Sequence, residues 1–148
     1  MSQSIWTWVV VADANGARIL RFSKRTEPWQ QIEHIGPDGT GAPETADFAG
    51  KASTHKGALH GHGEANPKET KERHLAHAIA HALERGMVDN VFDAVVLVAP
   101  PKLLGELREN LSRGLQKRVL AELAKDFAHL DAAELARRLL PDMPPRIS

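Results

Sequence analysis

The sequence contains no cysteine in 148 residues. Disulfides, thiolate zinc centres, iron–sulfur clusters and a cysteine nucleophile are therefore excluded. It also has no net charge, 19 Lys and Arg being balanced by 19 Asp and Glu. The molecule as a whole lacks the basic footprint of a nonspecific nucleic-acid binder, so any such contact must be a local patch. No hydrophobic run reaches membrane-spanning length. The apolar start IWTWVVVA is too short and has no positive flank of the signal-peptide kind, so it reads as a core strand and a cytoplasmic location is the default expectation. No phosphate-cradling glycine motif, nucleophile elbow, dinucleotide fingerprint or internal repeat occurs.

What is present is patterned as one α/β domain over residues 1–140, followed by a Pro-rich tail at 141–148. Ile5–Asp13 is β-branched and aromatic, as a buried strand should be. Asn15-Gly16 is expected to supply the two φ > 0 residues of a tight hairpin turn. Ala17–Ser23 returns, and Trp29–Ile35 reads as a third strand, completing an antiparallel meander. Gly36–Ala65 is rich in Gly, Pro, Thr and charge without periodicity, and reads as a long flexible loop, uncommon in a compact domain unless functional or disordered.

Asn66-Pro67-Lys68-Glu69 has the composition of a helix start: an Asn cap, Pro at the first position and Glu at the third. This helix is expected to reach Arg85, with Gly86 just beyond its end. Phe92–Ala99 is a near-continuous apolar run, the signature of a central strand covered on both faces. Pro100-Pro101 then opens a helix through Leu103, Leu104, Leu107 and Leu111. Ser112–Gly114 reads as a turn and Lys117–Asp126 as a strand. Asp131 caps a last helix, Asp131–Leu140. The order β-β-β-α-β-α-β-α predicts a mixed sheet with helices on both faces, an order shared by ribonuclease-H-like domains and the middle domain of peptide-chain release factors.

Residues 50–81 hold six of the eight histidines. His55, His60 and His62 lie in the Gly-rich loop with Lys51 and Lys56, and no acid intervenes between Lys51 and His62. Such a patch suits phosphate, and its charge grows as imidazoles protonate near pH ~6.5. His74, His77 and His81 fall on one stripe of the following helix, since helical residues advance about 100° each. His77 and His81 have the i, i+4 spacing by which two imidazoles reach one metal, with His74 and Glu84 as further ligands. The zinc-protease version needs Glu after the first His, and HAIAH has Ala78 there, so a metalloprotease is not expected. The plain alternative is a set of boundary-face histidines beside the apolar stripe of Leu75, Ile79 and Leu83.

Asp13, ending the first strand, could open a two-metal carboxylate cluster with Glu84 and Asp93. Its plainer role is to initiate the hairpin turn, and Asp93 should lie near the opposite end of the sheet. Lys102, at the start of the helix after the central strand, sits where open α/β sheets tend to bind ligands, although a solvated surface lysine is the simpler reading.

WVVVADANGARILRF, the His/Gly-rich loop and VVLVAPPKLLGELRENL together resemble the bacterial host-attachment protein family over nearly the whole chain. That family is similar to the middle domain of archaeal and eukaryotic release factors. The resemblance implies a release-factor-like fold and a partner such as the ribosome, RNA or a protein, engaged through residues 50–65 and the start of the following helix. Release factors carry a Gly-Gly-Gln tip in the loop before their first long helix. The matching Gly50–Ala65 has no Gln, so a non-catalytic module is expected. No cofactor is implied; the competing expectation is a metal-dependent hydrolase built on the helix 67–85 histidines.

Overall fold

A computed structural model describes residues 6–37, Gly39 and 67–144, the side chains of 67 and 68 excepted. A single mixed sheet of five strands has the order β3-β2-β1-β4-β5. β1 (Thr7–Asp13), β2 (Gly16–Phe22) and β3 (Gln30–Ile35) form the expected antiparallel meander. α1 (Pro67–Val88) leads to β4 (Ala94–Val98), which lies parallel to β1 with Thr7 opposite Ala94 and Val11 opposite Val98. α2 (Pro101–Asn110) and α3 (Arg113–Arg118) lead to β5 (Val119–Leu123), parallel to β4 at the sheet edge. α4 (Ala132–Leu139) and a single 3-10 turn, Leu140–Asp142, close the described chain.

Both faces of the sheet are covered, as the apolar run in β4 requires. Along β1 and β2 the side chains alternate between two cores. Trp8, Val10, Ala17 and Ile19 join Leu75, Ile79 and Leu83 of α1 and Leu103, Leu104 and Leu107 of α2. Val9, Val11, Leu20 and Phe22 join Trp29, Leu135, Leu139 and Met143 on the other side. Each of these large side chains contributes roughly 1.5–3 kcal/mol when fully buried.

Three local expectations need correction. The hairpin is linked by Ala14 and Asn15, because Asp13 pairs with Gly16. Gly16 alone has positive φ (129°) at the turn. Asp13 Oδ1 accepts the Asn15 N–H at 2.8 Å and closes the turn from within, so Asn15 needs no left-handed conformation. A Cβ on Gly16 would also lie 2.5 Å from the Ile35 carbonyl oxygen.

Gly86 does not end α1, which runs on to Val88. A Cβ at 86 would sit 2.7 Å from Phe92 and 2.9 Å from Trp8, so this glycine lets the two aromatic rings pack against the helix backbone. The left-handed terminating residue is Asn90, with φ 60°, and the Val91 N–H closes the end onto Gly86 O at 3.0 Å. Third, Ser112 begins α3 rather than a turn, its Oγ accepting the Leu115 N–H at 3.2 Å. The cap expected at Asp131 is present, Oδ1 accepting the Glu134 N–H at 2.8 Å.

Candidate functional site

α1 carries charges of both signs. Its apolar stripe, Leu75, Ile79 and Leu83, is at most 1% exposed and fixes which face meets the sheet. Of the described acids of the helix, Glu72 and Glu84 are half-buried, while Glu69, four residues before Arg73 on the same stripe, keeps 46% of its side chain exposed. Glu69 meets Lys102 Nζ at 3.3 Å, and Glu84 accepts the Ser112 hydroxyl at 3.0 Å. Glu72 has one carboxylate oxygen, Oε1, buried without a hydrogen-bond partner.

Four bases share one solvent-facing stripe. Arg73, His77, His81 and Arg85 are all exposed, at four-residue intervals. Four residues are slightly more than one turn, so these side chains form a ridge roughly 18 Å long at 1.5 Å per residue. Arg85 makes an ion pair, its Nη2 lying 3.8 Å from the Glu33 carboxylate while half its side chain remains exposed. His74 is half-buried on the flank of the ridge. Gly39 packs there: a Cβ on it would come within 2.9 Å of the His74 carbonyl oxygen.

The expected metal set is therefore split. His77 and His81 share the exposed ridge, His74 is set off toward the body, and Glu84 is held by Ser112. Among the described residues no three His, Asp or Glu side chains are grouped as a metal site. Lys51, His55, Lys56, His60 and His62 lie outside the described residues.

The carboxylate cluster is not assembled either. Asp13 serves the hairpin turn, while Asp93 lies at the far end of the sheet, exchanging hydrogen bonds with the Trp6 backbone at 3.1 and 2.9 Å. Lys102 is an exposed lysine paired with Glu69. Sequence reasoning does not single out Arg73 and Arg85, although their spacing from His77 and His81 is a signal that could find them.

Comparison with known proteins gives this geometry a lineage. No described helix is long and apolar enough to cross a membrane. Over 73 residues the chain is 33% identical to an uncharacterized protein of Rickettsia prowazekii (strain Madrid E), a stretch covering 47% of this chain and 49% of that protein. The chain thus matches about half the length of that relative. A family model described as "Protein required for attachment to host cells" matches residues 8–139, from β1 to the end of α4. The match takes in most of the chain, and the protein belongs to this host-attachment family.

Proposed function

We propose that the protein is a binding module whose partner is RNA, engaged at its phosphates by the exposed face of α1 together with the basic stretch of residues 50–65. One observation carries the reading: a chain of zero net charge leaves Arg73, His77, His81 and Arg85 exposed along one solvent face of α1. A polyanion is the partner that such a ridge attracts, because phosphate neutralisation releases counterions. Gly39 lies against α1 at His74, and residue 67 begins the same helix. The described residues on either side of 40–66 thus both lie at α1.

Within this reading the chain is a single-domain relative of the release-factor middle domain, supported by the meander followed by alternating α and β elements. Without Gly-Gly-Gln, peptide release is not part of its role. Attachment to host cells, the process in the family description, is carried over only as the setting in which such a module acts.

The test is co-sedimentation with ribosomes at low salt. The wild type should pellet, and a variant carrying Arg73→Gln, His77→Gln, His81→Gln and Arg85→Gln should remain in the supernatant. Wild-type protein that stays in the supernatant would defeat the RNA reading, and pelleting that survives nuclease and high salt would point to a protein partner instead. The competing reading, a metal-dependent hydrolase using His74, His77, His81 and Glu84, rests on the i, i+4 imidazoles that share the ridge. Elemental analysis of untagged protein separates the two: stoichiometric zinc or manganese would favour the hydrolase.

A further inference from the structure

On the sheet face opposite α1, beyond the carboxyl end of β1, lies a cleft of about 210 Å³. Its floor is Val11, one wall is the Asp13–Gly16 turn, and the other is Ala128 and His129 of the segment before α4. Arg18 and His34 complete it; they are direct neighbours across the β2–β3 ladder. The carboxyl ends of strands in open α/β sheets are where such folds hold ligands.

The cleft is held open by Arg18. Its Nη2 donates to the Ala128 carbonyl at 2.9 Å and to the Leu130 carbonyl, tying β2 to the segment before α4 across the cleft. Nη1 reaches the Gln31 side-chain oxygen at 3.4 Å. All these partners are neutral, so the guanidinium is part-buried with no carboxylate hydrogen-bonded to it. Burial lowers its pKa, only partly offset through space by Asp131 and Asp13. The single acid in the lining, Asp13, has spent Oδ1 on the Asn15 N–H. Two imidazoles, His34 and His129, flank the guanidinium.

We infer that this cleft binds a small ligand through an oxyanion head, a phosphate or a carboxylate, received by Arg18, His34 and His129. The groups facing the head are then one guanidinium and two imidazoles against the half-committed Asp13, with Asp131 acting on Arg18 through space, and hydrogen bonds from a guanidinium to an oxyanion are charge-assisted and strong. The site is separate from the α1 ridge and stands or falls independently of RNA binding.

The experiment is a titration of the full chain with inorganic phosphate, and in parallel with acetate, against chloride at matched ionic strength, read on the imidazole proton resonances. Saturable movement of the His34 and His129 resonances is expected with phosphate, acetate or both, the responding anion identifying the head-group. His34→Gln with His129→Gln should weaken binding about tenfold or more, read as ligand-dependent thermal stabilisation. Asp13→Asn, which keeps the turn's acceptor oxygen but removes the charge, should tighten it. The α1 ridge variant should bind as wild type. Chloride moving the same resonances equally, no saturation with either anion, or weaker binding in Asp13→Asn would overturn the inference.

Discussion

Replacing Gly86 with Ala should destabilise the protein, although a Gly→Ala change inside a helix ordinarily does the reverse. Glycine in a helix interior costs roughly 0.5–1 kcal/mol relative to alanine through backbone entropy. At position 86 the added Cβ would lie 2.7 Å from Phe92 Cε2 and 2.9 Å from Trp8 Cη2. Those rings are themselves packed together, centroids 4.7 Å apart, and Phe92 and Trp8 are only 1% and 7% exposed. Neither ring is the free end of a flexible side chain, so either the helix must move off the sheet or the rings must repack. Overpacking of this kind costs typically about 1–3 kcal/mol, which outweighs the helix gain and leaves a net loss on the order of 1 kcal/mol. Gly105 in α2 is the internal control, because a Cβ there meets nothing within 4 Å. Gly105→Ala should therefore gain about 0.5–1 kcal/mol. Urea unfolding followed by far-ultraviolet circular dichroism reads both variants as shifts in midpoint at unchanged slope. If Gly86→Ala is as stable as Gly105→Ala, the close approach of α1 to Trp8 and Phe92 is wrong.

Two further outcomes concern α4. Asp131→Ala removes the side chain that accepts the Glu134 N–H and should cost about 1 kcal/mol in urea unfolding; no loss would contradict the cap. The Glu134 carboxyl is held below its ordinary pKa, first by the hydrogen bond from Arg138 and then by the charges of Arg137 and Arg138. A lowered folded-state pKa means stability that is present above the unfolded carboxylate range, near pH ~4.3, and lost as pH falls through the folded value. The stability difference between wild type and Glu134→Gln should accordingly be largest near neutral pH, shrink on acidification and shrink with salt; a difference that grows toward acid would refute the pairing.

Elements that carry their own local signal are legible in the sequence. The apolar run of β4, the Pro-opened α2 with its leucines, and the Asp131 cap all stand where periodicity and capping put them. What is not legible depends on neighbours far away in the chain. Gly86 has the sequence context of a helix terminator, and only the rings of Trp8 and Phe92 explain why it lies inside. Ser112 reads as part of a turn through its polar neighbours, because a helix of six residues leaves too short a pattern to see. The anion cleft joins Asp13, Arg18, His34 and His129 from four segments. The Arg18–His34 pairing follows from the meander register, but nothing local brings His129 to it. The histidine stripe on α1 is visible as a stripe. Its meaning changes once Arg73 and Arg85 prove to extend it, because the exposed His77 and His81 then belong to a ridge of bases.

The measurement that bears most directly on the proposed role is the salt dependence of RNA binding by the full chain. With phosphates neutralised by the α1 ridge, the logarithm of the affinity for single-stranded RNA should fall linearly with the logarithm of salt concentration. Arg73→Gln with Arg85→Gln should flatten that line by up to about 1.4, at roughly 0.7 for each phosphate no longer neutralised, with Arg85 giving less than its full share because Glu33 lies beside it. Wild-type protein with no affinity for RNA at low salt, or a double variant with an unchanged slope, would contradict RNA binding through this face of the molecule.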